Sequence, residues 1–268
     1  MSLPELSVAG LSRGMLGLVL LAGATCLLYW PGLQGPFLFD DAPNIVDNLA
    51  LETYRNSFLD WWSAALSSHA GVLRRPIPML SFALQFELLG AHSAFALKLV
   101  NLLIHCVCGG LVYLLATLLL GGMGARVSPR ERKWLPLLAA ALWTLNPLLV
   151  STVLYPVQRM AQFSALFMLA GLCCYAYYRS RWACRGASVD EMLALPLWLG
   201  IFTLLAAFSK ENGVLLPGLV AVLEVTLFRG RWAGAYRAGV ARVAVLLFLL
   251  PVLATASFLL LQWDLVIA

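Results

Sequence analysis

The chain has 268 residues, 62% of them hydrophobic and 12% charged, with a mean hydropathy of +0.86. Soluble domains average about 45–50% apolar and about 25% charged residues, so this composition excludes an ordinary soluble globule and indicates an integral membrane protein. The formal charge of +5 implies no nucleic-acid partner, because what matters is where Lys and Arg fall relative to the apolar segments.

Apolar segments of about 17–25 residues recur along the chain, the length a helix needs to cross about 30 Å of hydrocarbon. The expected spans are about 11–30, 94–120, 134–150, 158–178, 191–208, 213–228 and 240–262, which predicts an all-α polytopic fold of seven transmembrane helices in a single domain over 1–268. The first segment has no evident small-residue cleavage site and reads as a retained helix or signal anchor. Cys26, Cys106, Cys108, Cys173, Cys174 and Cys184 show no CxxC spacing and read as small buried hydrophobes.

Directly after the first span comes GPFLFDDAPNIVDN, Gly35 to Asn48. Its adjacent carboxylates, Asp40 and Asp41, stand where a helix must leave the bilayer. An ionisable pair beside hydrocarbon is costly unless it faces water, a partner or a substrate, which makes it a candidate site. The competing reading has Asp41 capping a turn before Pro43, with Asp40 solvated. The connection 31–93 is the longest in the chain, and the aromatic stretch Asn56 to Leu66 suits an interfacial helix. Pro76 to Leu89 is apolar but short, bracketed by Arg74, Arg75, Glu87 and His92, and reads as a second interfacial or re-entrant helix.

In the second span Lys98, Asn101 and His105 are spaced i, i+3, i+7 and share one helical face. Such a stripe faces a bundle interior or a cavity; it serves either substrate contact or hydrogen bonds to neighbouring helices, with Lys98 snorkelling. In TLNPLLVSTVLYPVQRM, Thr144 to Met160, Pro147 and Pro156 interrupt helix and free backbone groups, as happens where a membrane chain lines a cavity. Arg159 follows at the outer end of the fourth span, a donor fork suited to phosphate or to a lipid headgroup. Ser209 to Gly213 form a tight outer turn carrying Lys210 and Glu211, and Glu224 reads as a structural partner of Arg229 or its neighbours.

With a cytoplasmic N-terminus, Arg13, then Arg126, Arg130, Arg132 and Lys133, then Arg179, Arg181 and Arg185, then Arg229, Arg231 and Arg237 all fall inside. Asp40, Asp41, Arg159, Lys210 and Glu211 then collect on the extracytoplasmic side. The chain has no GxGxxG, P-loop, GxSxG or zinc signature, so soluble-type nucleotide chemistry is disfavoured and no cofactor is expected. A divalent metal near Asp40, Asp41 and Glu52 is left open, although no ligand spacing argues for one.

FLFDDAPNIVDN, RRPIPMLSFALQFELLG, LKLVNLLIHCVCGGLVYLL, NPLLVSTVLYPVQRMAQFSALF and FSKENGVLLP form an ordered set. This set resembles the membrane domain of TMTC-type proteins, GT-C glycosyltransferases similar to the protein O-mannosyltransferases, over nearly the whole chain. The resemblance implies a GT-C-like helical bundle in a bacterial inner membrane, a polyprenyl-phosphate sugar as donor, and an acceptor protein or glycan on the extracytoplasmic side. It implies a catalytic acid among Asp40 and Asp41, with Asp40 ahead as general base. Arg75, Arg159 and Lys210 would hold the donor phosphate, supported by Glu211, Arg74, Lys98, Asn101, His105 and Asn146. The chain departs from the family's pattern in two places. Asn146-Pro147 stands where relatives usually read His-Pro, with Ser151 where an acid is usual, and the chain stops short, which leads one to expect a further C-terminal part. The alternative to an inverting glycosyltransferase is a non-catalytic membrane protein that binds or flips a lipid-linked sugar.

Overall fold

The computed structural model describes residues 8–52, 57–68, 70–89, 93–123 and 127–228, with side chains from Gly14 onward. The expected seventh span over 240–262, together with Arg126, Arg229, Arg231, Arg237, His69 and His92, lies outside the described residues. Secondary structure among the described residues is helical, with α1 at Val8–Leu33, α2 at Phe58–Ala65, α3 at Pro76–Leu89, α4 at Ala94–Gly122 and α5 at Pro129–Thr144. These are followed by α6 at Val150–Leu154, α7 at Arg159–Arg185, α8 at Val189–Ala207 and α9 at Leu216–Leu223. Five helices are long and apolar enough to cross a membrane, and a sixth span results if α5 and Pro147–Leu154, bent by 46° at their junction, are counted as one.

Local chemistry sets the starts of these helices. Ser57 with Asp60, Ser128 with Glu131, and Ser188 with Glu191 each form a reciprocal capping box that satisfies two otherwise orphaned N–H groups at the first turn. Proline sets two of the breaks. The span expected over 134–150 ends at Thr144, because Pro147 cannot donate to the preceding turn, and Asn146 caps the short 3-10 segment Pro147–Leu149 by accepting from the Leu148 N–H at 3.0 Å. The span expected over 213–228 opens instead with a 3-10 turn, Glu211–Leu215, and closes with a π-helical turn, Glu224–Phe228.

The central helix is α7, packed against α4 on one side and α8 on the other, with α1 and α5 beyond α4. Large apolar side chains such as Val19, Leu20 and Leu27 on α1 remain exposed, as expected of a surface that faces lipid. Chain direction alternates, so α1, α5–α6 and α8 end where α4, α7 and α9 begin. At that end the long connection folds its own small core, Ile45, Leu51, Met79 and Phe82, onto Leu97 and Met160.

The opposite end carries Arg130, Arg132, Lys133, Arg181 and Arg185. Glu224 also lies at this end, and its expected partner Arg229 is outside the described residues. Among the described residues Glu224 is held by Arg179 on α7, buried at 0% exposure, whose Nε and Nη2 donate to the Glu224 carboxylate at 2.8 and 2.9 Å. Tyr175 Oη adds a third donor at 2.5 Å. The π-helical turn brings that carboxylate opposite α7, which sequence proximity to Arg229 did not reveal.

Candidate functional site

The acidic loop is held by what surrounds it. Lys98, one turn into α4 and 2% exposed, donates through Nζ to the carbonyls of Gly35 at 2.7 Å and Pro36 at 3.1 Å, fixing the chain as it leaves α1. Asp41 is fully buried. Its Oδ2 accepts from the Leu38 N–H at 2.9 Å and its Oδ1 from the Val157 N–H at 2.8 Å. The capping role before Pro43 is therefore not what Asp41 performs: its side chain caps no turn there, and instead ties the loop to the chain entering α7. Burial raises its carboxyl above the ordinary range, the two N–H bonds and the Lys98 charge pull the other way, and the Asp40 charge adds a smaller upward push.

Asp40 is exposed, and among the described residues nothing bonds its carboxylate. Its backbone is fixed on both sides, with its N–H donating to Tyr155 Oη at 2.8 Å and its carbonyl accepting from Asn44 Nδ2 at 3.0 Å. Phe39 just before it holds φ at 38°, a left-handed conformation that a bulky residue adopts only when its surroundings enforce it. A π-helical turn, Ala42–Val46, follows the pair. The two carboxylates thus have separate environments, one sealed into backbone contacts and one presented to solvent.

Arg159 opens α7 at 0% exposure. Its Nε donates to Asn101 Oδ1 at 2.9 Å, Nη1 to Ser81 Oγ at 3.3 Å, and Nη2 to Gln85 Oε1 at 2.8 Å and the Leu97 carbonyl at 3.0 Å. The guanidinium also lies 4.3 Å over the Phe82 ring. It therefore joins α3, α4 and α7, and its donors point inward. Asn101 turns its amide to the carbonyls of Tyr155 and Pro156 at 3.4 and 3.3 Å, both freed by the break before α7. His105 Nε2 lies 2.9 Å from the Thr144 carbonyl at the other break, with its ring stacked on Trp143 at 4.7 Å.

The remaining cations come from two further segments. Arg75 Nε and Nη2 donate to Glu211 Oε1 at 3.3 Å and Oε2 at 3.0 Å, and Nη1 reaches Met160 Sδ at 3.2 Å. Arg74 reaches the Leu66 carbonyl at 3.3 Å. The strap holding both arginines is docked to α8 by the Ile77 N–H on the Phe208 carbonyl at 3.4 Å. Lys210 is partly exposed, and among the described residues no hydrogen bond or ion pair engages its ammonium. The entry to α7 thus meets both halves of the site, since Val157, in the 3-10 turn just before it, binds Asp41, and Met160, its second residue, touches Arg75. Sequence reasoning missed Tyr155, Ser81, Gln85 and Met160. Of these only Tyr155 carried a signal, as a hydroxyl next to a helix-breaking proline.

A helical bundle with lipid-facing sides, whose acidic loop and cations gather at one end, defines a multi-pass membrane protein with its chemistry at a membrane boundary. No family model matches the chain and no solved structure matches it. Among curated proteins it is 30% identical over 202 residues to human "Protein O-mannosyl-transferase TMTC4", covering 72% of this chain and 27% of that one. It is 31% identical over 221 residues to human "Protein O-mannosyl-transferase TMTC1", 77% of this chain and 23% of that one. Human "Protein O-mannosyl-transferase TMTC3" is 25% identical over 224 residues, 80% of this chain and 22% of that one. The chain is homologous to these proteins: a TMTC-like, O-mannosyltransferase-like membrane domain. It spans about a quarter of the length of the curated relatives it matches.

Proposed function

We propose that this chain is a glycosyltransferase that moves a sugar, mannose by analogy with the relatives' names, from a polyprenyl-phosphate donor to a hydroxyl of an acceptor protein. Asp40 is the general base. Its exposed carboxylate takes the hydroxyl proton as that oxygen attacks the anomeric carbon, and the bond from that carbon to the phosphate oxygen breaks. The lipid phosphate leaves with the bonding pair, its charge held by Arg75 and Lys210. Asp41 is enclosed and has both oxygens engaged, which leaves one available carboxylate in the pair and favours direct displacement with inversion. Arg159, with its donors turned inward, positions the frame rather than the phosphate in this arrangement.

The basic end defined by Arg130, Arg132, Lys133, Arg181 and Arg185 supports a cytoplasmic placement of that end. The site then faces outward, from the inner membrane if the cell is bacterial. The observation that carries the reading is the contrast within the acid pair: a sealed Asp41 beside a presented Asp40 whose backbone is fixed by Tyr155. The test is transfer from a mannosyl polyprenyl phosphate to a protein acceptor by the full-length chain in nanodiscs. Asp40→Asn should lower turnover by about 100-fold or more with unchanged thermal stability; equal turnover in that variant refutes the assignment.

A further inference from the structure

The Arg75–Glu211 pair has a property that the proposed reaction does not use. Its geometry is bidentate, with two parallel donors on two carboxylate oxygens at 3.3 and 3.0 Å, and this is the same fork by which arginine grips a phosphate. We propose that Glu211 is a displaceable stand-in for the donor phosphate. It fills the anion seat of Arg75 until a lipid phosphate enters, so that loading the donor means exchanging one anion for another. The inference rests on the proposed function and adds a regulatory step to the same site.

Four observations support it. The guanidinium lies deeper than its partner, with side-chain exposures of 17% for Arg75 and 38% for Glu211, so the carboxylate can move to water while the cation stays in place. The third donor position of Arg75 rests on Met160 Sδ, a weak acceptor, so among the described residues nothing else of comparable strength competes for the fork. The strap is strained, with Arg74 at φ 53° and Arg75 at φ 46°, a conformation that non-glycine residues keep at ligand clamps when the surroundings enforce it. Room for the carboxylate depends on Gly71, where a Cβ would overlap it and where φ is 72°.

Charge gives the exchange a direction. A sugar phosphodiester carries one negative charge, so it replaces Glu211 one for one at Arg75. After transfer the lipid phosphate is a monoester of about −1.5 to −2. The added charge calls for a second cation, and Lys210, adjacent to Glu211 and unengaged among the described residues, supplies it.

The experiment measures binding of undecaprenyl phosphate to the full-length protein in nanodiscs, with no sugar present. Glu211→Gln should bind about fivefold more tightly or better, because the closed form no longer withholds the seat. In an Arg75→Gln background the same change should alter affinity by less than twofold. Glu211→Asp, which keeps the charge but shortens the reach, should fall between and guards against a poorly folded glutamine variant. Binding by the wild type without tightening in Glu211→Gln overturns the stand-in while leaving the donor site intact. Tightening that persists without Arg75 also overturns it, since that is simple repulsion through space. Absence of binding in every variant, Glu211→Gln included, overturns the donor site and the stand-in with it.

Discussion

Replacing Arg159 by methionine separates a brace from a phosphate contact. The substitution keeps most of the volume over Phe82 but removes every donor, leaving Asn101 Oδ1, Gln85 Oε1 and the Leu97 carbonyl without the partners they have at 2.9, 2.8 and 3.0 Å. Gln85 Nε2 already lacks a partner among the described residues. The Leu97 carbonyl keeps its intrahelical partner within α4, so two buried acceptors are orphaned, and at about 1–3 kcal/mol each they cost on the order of 2–6 kcal/mol. Part of this returns because a guanidinium no longer has to be desolvated, which leaves a net loss of about 1–3 kcal/mol. Equilibrium unfolding by SDS from bicelles, followed through tryptophan fluorescence, should show that loss. Adding Gln85→Leu should recover about 1–2 kcal/mol by removing one orphan. Stability within about 0.5 kcal/mol of wild type, with the defect confined to weaker lipid-phosphate binding, would refute the brace and restore Arg159 as a ligand contact.

The acid pair should divide cleanly under mutation. Asp40→Asn removes turnover at constant stability, whereas Asp41→Asn sets an amide NH2 against a backbone N–H and costs about 1–3 kcal/mol in the same unfolding measurement. Because Asp41 is raised in the folded state, its contribution to stability is fully present below the ordinary carboxylate range and is lost as pH rises through its raised value. The stability of wild type relative to Asp41→Asn should therefore fall as pH rises through that window, and a flat difference would contradict the shift. Gly213→Ala places a Cβ on the Ala206 and Ala207 backbone, so it should destabilise by about 1–3 kcal/mol and weaken lipid-phosphate binding by shifting Lys210 and Glu211. Unaltered melting and binding would show that the turn yields.

Some of this arrangement was legible in the sequence, and the illegible part has a physical reason. The stripe Lys98, Asn101, His105 follows from helical spacing, and all three residues are buried as that spacing requires. Pro147 and Pro156 announced freed backbone groups. The two facts belong together, because Asn101 satisfies the carbonyls at the second break and His105 the one just before the first. Nothing in the sequence could pair them, since a carbonyl is chemically the same at every position and only the register of α4 against α5 and the start of α7 selects which one is met. The same limit explains Glu211, read as a support for Lys210 but bound to Arg75, 136 positions away.

The break before α7 also accounts for the presence of two adjacent acids. A proline at position 156 leaves the Val157 N–H without an intrahelical acceptor inside a packed interior, and an orphan of that kind must be satisfied by some other group. Asp41 supplies the acceptor and is thereby withdrawn from solvent, since a carboxylate accepting two backbone N–H bonds in a sealed site cannot also reach an acceptor hydroxyl. The residue beside it in an extended or turning chain points away, toward the opening, and its backbone is fixed by the same clasp and by Tyr155. A single acid here would have to serve either the backbone or the substrate. The pair allows a rigid loop and an unencumbered carboxylate together, so Asp41 is best understood as the reason Asp40 has a fixed position without being buried.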